Sequence, residues 1–154
     1  VNLVWHRADL RLHDNPALQQ ALQGGPTLGV VVLDPQILKA TTPRRRAWFY
    51  RNARALQEGY QKRGGVLLVR TGAPWEVLPR LVEELGVRAV YAVRNTTPYA
   101  RFRDEKVALA LGRPLHLLPG QYIHEPGTLR KPDGGPYTVF TPYAKRWWAT
   151  PLPN

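Results

Sequence analysis

Apolar residues in this chain come in short continuous runs, each closed by an abrupt polar or turn-forming sequence. Residues 3–5 break into charge at His6, Arg7 and Asp9. Thr27–Leu33 ends at Asp34-Pro35, and 66–69 is followed by Thr71-Gly72. Ala89–Val93 ends at Arg94-Asn95-Thr96-Thr97-Pro98, and the weaker Leu115–Leu118 ends at Pro119-Gly120. Short Val/Leu-rich runs of this kind predict strands buried on both faces.

Between these runs the apolar positions recur at helical spacing. Asp14 and Asn15 are cap candidates ahead of Pro16, and Ala17, Leu18, Ala21 and Leu22 form one stripe. Over 43–63 the stripe is Phe49, Ala53, Leu56 and Tyr60, stopped by Gly64-Gly65. Over Pro74–Leu85 it is Val77, Leu78, Leu81, Val82 and Leu85, and Pro79 inside it predicts a kink or a split of the first turns. Over 98–111, Phe102, Leu109 and Ala110 are expected to face inward, with Gly112 as the stop. Strand and helix alternating in this way predict an α/β fold, a parallel sheet with helices on both faces. Residues 121–136 lack any period and are rich in Gly, Pro and polar residues, as a functional or partner-facing loop would be. Residues 151–154 read as a linker.

Composition narrows the classes. A chain of 154 residues with 44% apolar content is one domain's worth of globular core. No run approaches the ~18 apolar residues of a membrane span. Arg7 and Asp9 interrupt the only N-terminal apolar stretch, so no signal peptide is expected. Cysteine and serine are both absent, which excludes disulfides, thiolate metal sites and acyl transfer through a Ser or Cys nucleophile. Lack of cysteine is compatible with a cytoplasmic protein. His6, His13, His116 and His124 lack metal-ligand spacing, and no Gly-x-Gly-x-x-Gly or P-loop is present. The net charge of +11, mostly arginine, suits an anionic partner such as nucleic acid, phosphate or a dinucleotide; it equally suits a merely arginine-rich soluble protein.

Candidate chemistry gathers at the strand ends, because open α/β sheets bind ligands at their carboxyl edge. Asn15-Pro16, Thr42-Pro43 and Thr97-Pro98 each start a helix there, with free N–H groups suited to an anion. Arg44, Arg45 and Arg46 oppose the dipole of their helix at a cost of ~0.3–1 kcal/mol each, which a facing phosphate or carboxylate would offset. Asp9, Asp34 and Asp104 could orient a ligand's ring nitrogens or ribose, or pair with arginines; pairing is favoured for Asp104. Trp147-Trp148 beside Lys145-Arg146 could stack on bases, but packing against a further domain is favoured.

Three separated stretches carry a family resemblance. Trp5-His6-Arg7-Ala8-Asp9-Leu10-Arg11 followed by Asp14-Asn15-Pro16-Ala17-Leu18 resembles the opening signature of DNA photolyases and cryptochromes, which usually have an aromatic residue in place of His6. Arg101-Phe102-Arg103-Asp104 resembles the segment after the family's fourth strand, and Tyr137-Thr138-Val139-Phe140-Thr141-Pro142-Tyr143 its Tyr-x-Val-Phe-Thr-Pro-Phe. Arg46-Ala47-Trp48-Phe49 with Leu56 is similar to its second helix.

The resemblance implies a three-layer Rossmann-like domain with a five-stranded parallel sheet in the order 3-2-1-4-5. It divides the chain into an α/β domain over 1–130 and a Phe-Thr-Pro segment with the start of an interdomain linker over 131–154. It also implies an antenna chromophore in this domain. The FAD, the pyrimidine-dimer pocket and all catalytic residues would belong to a C-terminal helical domain that this chain lacks. Folate-binding members carry Asn-Glu where this chain has Tyr99-Ala100, so a flavin-type antenna, deazaflavin or FMN, is favoured over folate. The cofactor-binding residues expected on this basis are His6, Arg7, Asp9, Leu10, Asp34, Leu38, Arg45, Phe49, Asn52, Thr97 and Arg101; no metal is expected. The implied parent is a cytoplasmic, monomeric, membrane-free deoxyribodipyrimidine photolyase acting on damaged DNA, with this chain alone inactive. The alternatives are a cryptochrome blue-light receptor domain and a nucleotide-binding α/β module without photochemistry.

Overall fold

A computed structural model describes residues 1–152; Pro153 and Asn154, the end of the expected linker, lie outside the described residues. The first strand, β1 (Asn2–His6), is buried along its whole length. It pairs in parallel with β2 (Thr27–Leu33) on one side and β4 (Ala89–Val93) on the other, Asn2 standing opposite Thr27 and Ala89. The edge strands β3 (Leu67–Thr71) and β5 (Leu115–Leu118) are also parallel to their neighbours, and the order is β3-β2-β1-β4-β5. Apolar runs therefore mark the central strands best, because only these have both faces covered.

Alternation along β1 divides the core. Leu3 and Trp5 point to one face, where α4 (Pro74–Leu85) and α5 (Pro98–Ala110) supply Leu78, Leu81, Val82 and Val107. Val4 points to the other, where α1 (Pro16–Gln23) and α3 (Pro43–Gln61) supply Ala17, Leu18, Ala21, Leu56 and Tyr60. The three-layer α/β expectation and the strand order hold.

Helix starts follow the cap-proline rule. Asn15, Thr42 and Thr97 each accept a hydrogen bond from a first-turn N–H, with proline next. Asn15 is thus the cap of α1, while Asp14 takes a left-handed conformation at φ 50°. Asp34 caps a five-residue helix, α2 (Pro35–Lys39), too short to leave a period in the sequence. Helix α4 runs unbroken through Pro79, so its first turns are not split. The last helix, α6 (Phe140–Ala149), carries the Phe-Thr-Pro segment and has no buried residue; Phe140 and Trp148 are largely exposed.

The inward face expected for α5 is corrected. Leu109 is 88% exposed and Phe102 46% exposed, and Ala110 also faces out. The buried positions are Ala100, Arg103, Asp104 and Val107. A hydropathy stripe misplaces this helix because its inner face carries a buried ion pair.

Residues 121–136 form turns rather than strands or helices. They are tied down by a Thr96–Tyr122 hydroxyl bond, an Arg94–Glu125 ion pair and His124 packed edge-on to Trp147. Gly120, at φ 149°, lets the chain turn beside α1; a Cβ there would lie 2.5 Å from Pro16 Cγ.

Candidate chromophore cavity at the sheet edge

The carboxyl ends of β1 and β2 open into a cavity of about 580 Å³. That is within the range of small-molecule sites, roughly 300–1,000 Å³. One wall comes from the chain after β2: Ile37 and Leu38 on α2, then Arg45, Arg46, Trp48 and Phe49 on α3. The opposite wall is Trp5, Pro74, Tyr99 and Arg103, with Asn95 and Thr97 at the edge. His6, Arg7, Ala8, Leu10 and Asp34 complete it at the strand ends. The segments 5–8 and 95–97 therefore face one another across the topological switch between β1 and β4, where strand order reverses.

The polar groups at the base are held by one another. The Arg7 guanidinium donates to both Asp104 carboxylate oxygens, at 2.5 and 2.7 Å, and to the Val93 carbonyl. Arg103 donates to the same Asp104 from Nε and a terminal nitrogen, at 3.0 and 2.9 Å. Two buried cations thus share one carboxylate. Burial lowers the pKa of Arg7, with the neighbouring Asp104 charge acting against that. Among the described residues Arg7 Nε–H has no acceptor.

Asp9 and His6 form a second network. His6 Nδ1 lies 3.1 Å from the Asp9 carbonyl, and Nε2 lies 2.8 Å from the Tyr60 hydroxyl. With the proton on Nδ1, Nε2 accepts from Tyr60. The Asp9 carboxylate accepts from the Arg7 backbone N–H and from Asn15. Burial alone would raise the Asp9 pKa; hydrogen bonding from the His6 ring, the Arg7 backbone N–H and Asn15 outweighs it, and the pKa is lowered. Burial, then the Asp9 charge, raises that of Tyr60.

Tyr99 ties the sheet edge together from above. Its hydroxyl donates to Asp34, joining the start of α5 to the end of β2 across β1. Burial and this carboxylate push the phenol well above its ordinary value. Asp34 also caps α2 through the Gln36 N–H.

The expected site residues divide accordingly. His6, Arg7, Leu10, Asp34, Leu38, Arg45, Phe49 and Thr97 line the cavity. Asp9 instead lines a small neighbouring crevice with Arg11, Arg94 and Gly120. Asn52 donates back to the Trp48 carbonyl, and Arg101 is exposed; neither is on the cavity wall. Arg46 closes the end of α2 by donating to the Leu38 carbonyl. The cavity also takes in Trp48, Tyr99 and Arg103, which the sequence does not mark as site residues. Tyr99 and Arg103 could have been placed from their position in the first two turns of a helix that starts at the sheet's carboxyl edge. No cluster of metal-ligating residues and no membrane-length apolar helix occurs among the described residues.

These features define an open parallel α/β domain with a ligand-sized cavity at its switch point. The family model for DNA photolyase matches residues 2–154. A deoxyribodipyrimidine photo-lyase of Thermus thermophilus is 54% identical over 151 residues, covering 98% of this chain and 34% of that relative. The crystal structure of a class III photolyase from Agrobacterium tumefaciens matches 97% of the chain and 32% of its own, with 31% identity and a TM-score of 0.87. An archaeal photolyase from Sulfolobus tokodaii, solved with two FAD molecules, shares the fold at 22% identity and a TM-score of 0.85. The chain belongs to the DNA photolyase family, and spans about a third of the length of these relatives.

Proposed function

We propose that this chain is the light-harvesting domain of a DNA photolyase and that its cavity holds a flavin-type chromophore. In the full-length protein, residues 131–154 would lead into a helical domain whose reduced FAD splits pyrimidine dimers in damaged DNA by light-driven electron transfer. A chromophore bound here would absorb near-ultraviolet or blue light and pass the excitation on to that FAD.

The observation that carries this reading is the cavity itself. Its volume suits a fused ring, and Leu38, Phe49 and Tyr99 offer apolar and aromatic surface on its walls. Its polar groups suit a ring bearing carbonyl and N–H edges. Arg7 Nε–H is buried and lacks an acceptor among the described residues, as a donor reserved for a ligand would be. The Asp34 carboxylate at the wall can accept from a ring N–H. Arg45, exposed at the rim of α3, would meet a phosphate or other anionic tail. Tyr99-Ala100 stands where the family's folate-binding members carry Asn-Glu, so the carboxylate that would grip a folate is missing, which favours a flavin or deazaflavin.

Titrating the purified chain with FMN, a deazaflavin and a reduced folate tests this. A flavin-type ligand should bind with a shifted visible spectrum. Phe49→Ala should weaken it about 5–30-fold, the equivalent of about 1–2 kcal/mol of lost aromatic contact. Arg45→Ala should weaken ligands with an anionic tail and spare riboflavin. Tighter folate binding, or an unchanged affinity in Phe49→Ala, would overturn the assignment.

A further inference from the structure

Trp5 carries an unusual electrostatic load for an indole on a cavity wall. It is 1% exposed, and two guanidinium carbons lie over its ring, Arg7 at 4.8 Å and Arg103 at 4.7 Å. Asp104 is the one carboxylate that both arginines share, so the cluster keeps a net positive charge beside the indole. Packing does not require this; most buried tryptophans sit among apolar residues, and two buried arginines on one acid are costly.

An indole beside an excited flavin-type ring is ordinarily a quencher. It gives one electron to the excited ring; the indole is oxidised, the ring is reduced, and the electron then returns with no net product. The light energy is lost as heat. Positive charge over the indole stabilises its neutral form by cation–π attraction and repels the radical cation that oxidation creates. We infer that Arg7 and Arg103, locked on Asp104, act as positioning residues that hold Trp5 against oxidation, so that this indole does not drain excitation from a ring in the cavity. This rests on the chromophore reading above and adds to it a specific role for the buried cluster.

Two other oxidisable side chains line the cavity, Tyr99 and Trp48, and Trp48 is exposed, with no cation over its ring among the described residues. The Tyr99 hydroxyl is hydrogen-bonded to Asp34, and oxidation of Tyr99 can pass its proton to that carboxylate. The test therefore uses a Trp48→Phe/Tyr99→Phe background, where both of those routes are closed.

The measurement is the excited-state lifetime of FMN bound to the 154-residue chain, with transient absorption for an indole radical. In the Trp48→Phe/Tyr99→Phe background the lifetime should be long. Adding Arg103→Met should shorten it at least threefold and produce the indole signal. Arg103→Lys, which keeps the charge, should leave it long, and Trp5→Phe on top of Arg103→Met should restore it. A lifetime indifferent to Arg103→Met, or a shortening that Trp5→Phe does not reverse, would overturn the inference and leave the cavity assignment standing. If Arg103→Met does not fold, Arg103→Gln is read in its place by the same criteria. A chain that takes up no flavin at all removes both readings together.

Discussion

Replacing Asp104 with Asn is the sharpest stability test of the buried cluster. The side chain keeps its shape and one carbonyl oxygen but loses its charge. Asp104 is 5% exposed, as is the Arg103 it serves, and Arg7 is 8% exposed, so solvent can screen little of the change. Four hydrogen bonds converge on the carboxylate, at 2.5, 2.7, 3.0 and 2.9 Å. An amide nitrogen turned toward either guanidinium would replace attraction with donor–donor repulsion. Removing one partner of a buried ion pair typically costs about 3–5 kcal/mol, because the remaining charge stays desolvated. Here two cations are left, so the upper half of that range is expected. A domain of this size is stable by about 5–15 kcal/mol, so roughly a quarter or more of the total is at stake. Equilibrium unfolding in urea, read by tryptophan fluorescence and circular dichroism, should show the midpoint falling with little change in slope. In a thermal scan the drop should be about 10 °C or more. A loss below about 1 kcal/mol would refute the reasoning: the two arginines would then have to be solvated or paired elsewhere.

Asp9→Asn should cost about 1–3 kcal/mol at neutral pH, as a buried, hydrogen-bonded carboxylate is lost. Since the folded-state pKa of Asp9 is lowered, its contribution is present above the unfolded carboxylate range and disappears as pH falls through the folded value. The stability gap between wild type and variant, followed by urea unfolding from pH 7 to pH 2, should therefore close on the acid side; a gap independent of pH would contradict the assignment. On α5, Leu109→Gln should change stability by no more than about 0.5 kcal/mol, whereas Val107→Ala should cost about 1–3 kcal/mol, because only Val107 faces the core. Equal effects in denaturant titrations would mean the helix is rotated from the orientation described.

Much of this architecture is legible in the chain. Five short apolar runs mark the strands because a parallel sheet covered on both sides needs no polar face, and Asn15-Pro16, Thr42-Pro43 and Thr97-Pro98 mark helix starts because cap and proline have separate local causes. What hydropathy cannot read is a charged residue turned inward. Arg103 and Asp104 look like surface residues until Arg7, 97 positions before Asp104, is brought beside them by the pairing of β1 with β4. The same long-range pairing made Leu109 look like core and hid the place of Tyr99 on the cavity wall. Helices α2 and α6 escaped for other reasons: one is a single capped turn and a half, and the other buries nothing of its own. Among the candidate site residues, His6, Arg7, Leu10 and Asp34 next to strand ends reach the cavity, since the sheet edge dictates where they go, while Asp9 turns into the neighbouring crevice. Asn52 and Arg101 lie within helices, where one turn decides which way a side chain faces, and both face away.

The most direct test is a crystal structure of this chain grown with saturating FMN. The ring should lie in the cavity at the β1–β4 switch, between Leu38 and Phe49 on one side and Trp5 and Tyr99 on the other, with its tail toward Arg45. A ring seated elsewhere on the surface, or a cavity closed by its own side chains in the presence of the ligand, would contradict the proposed function.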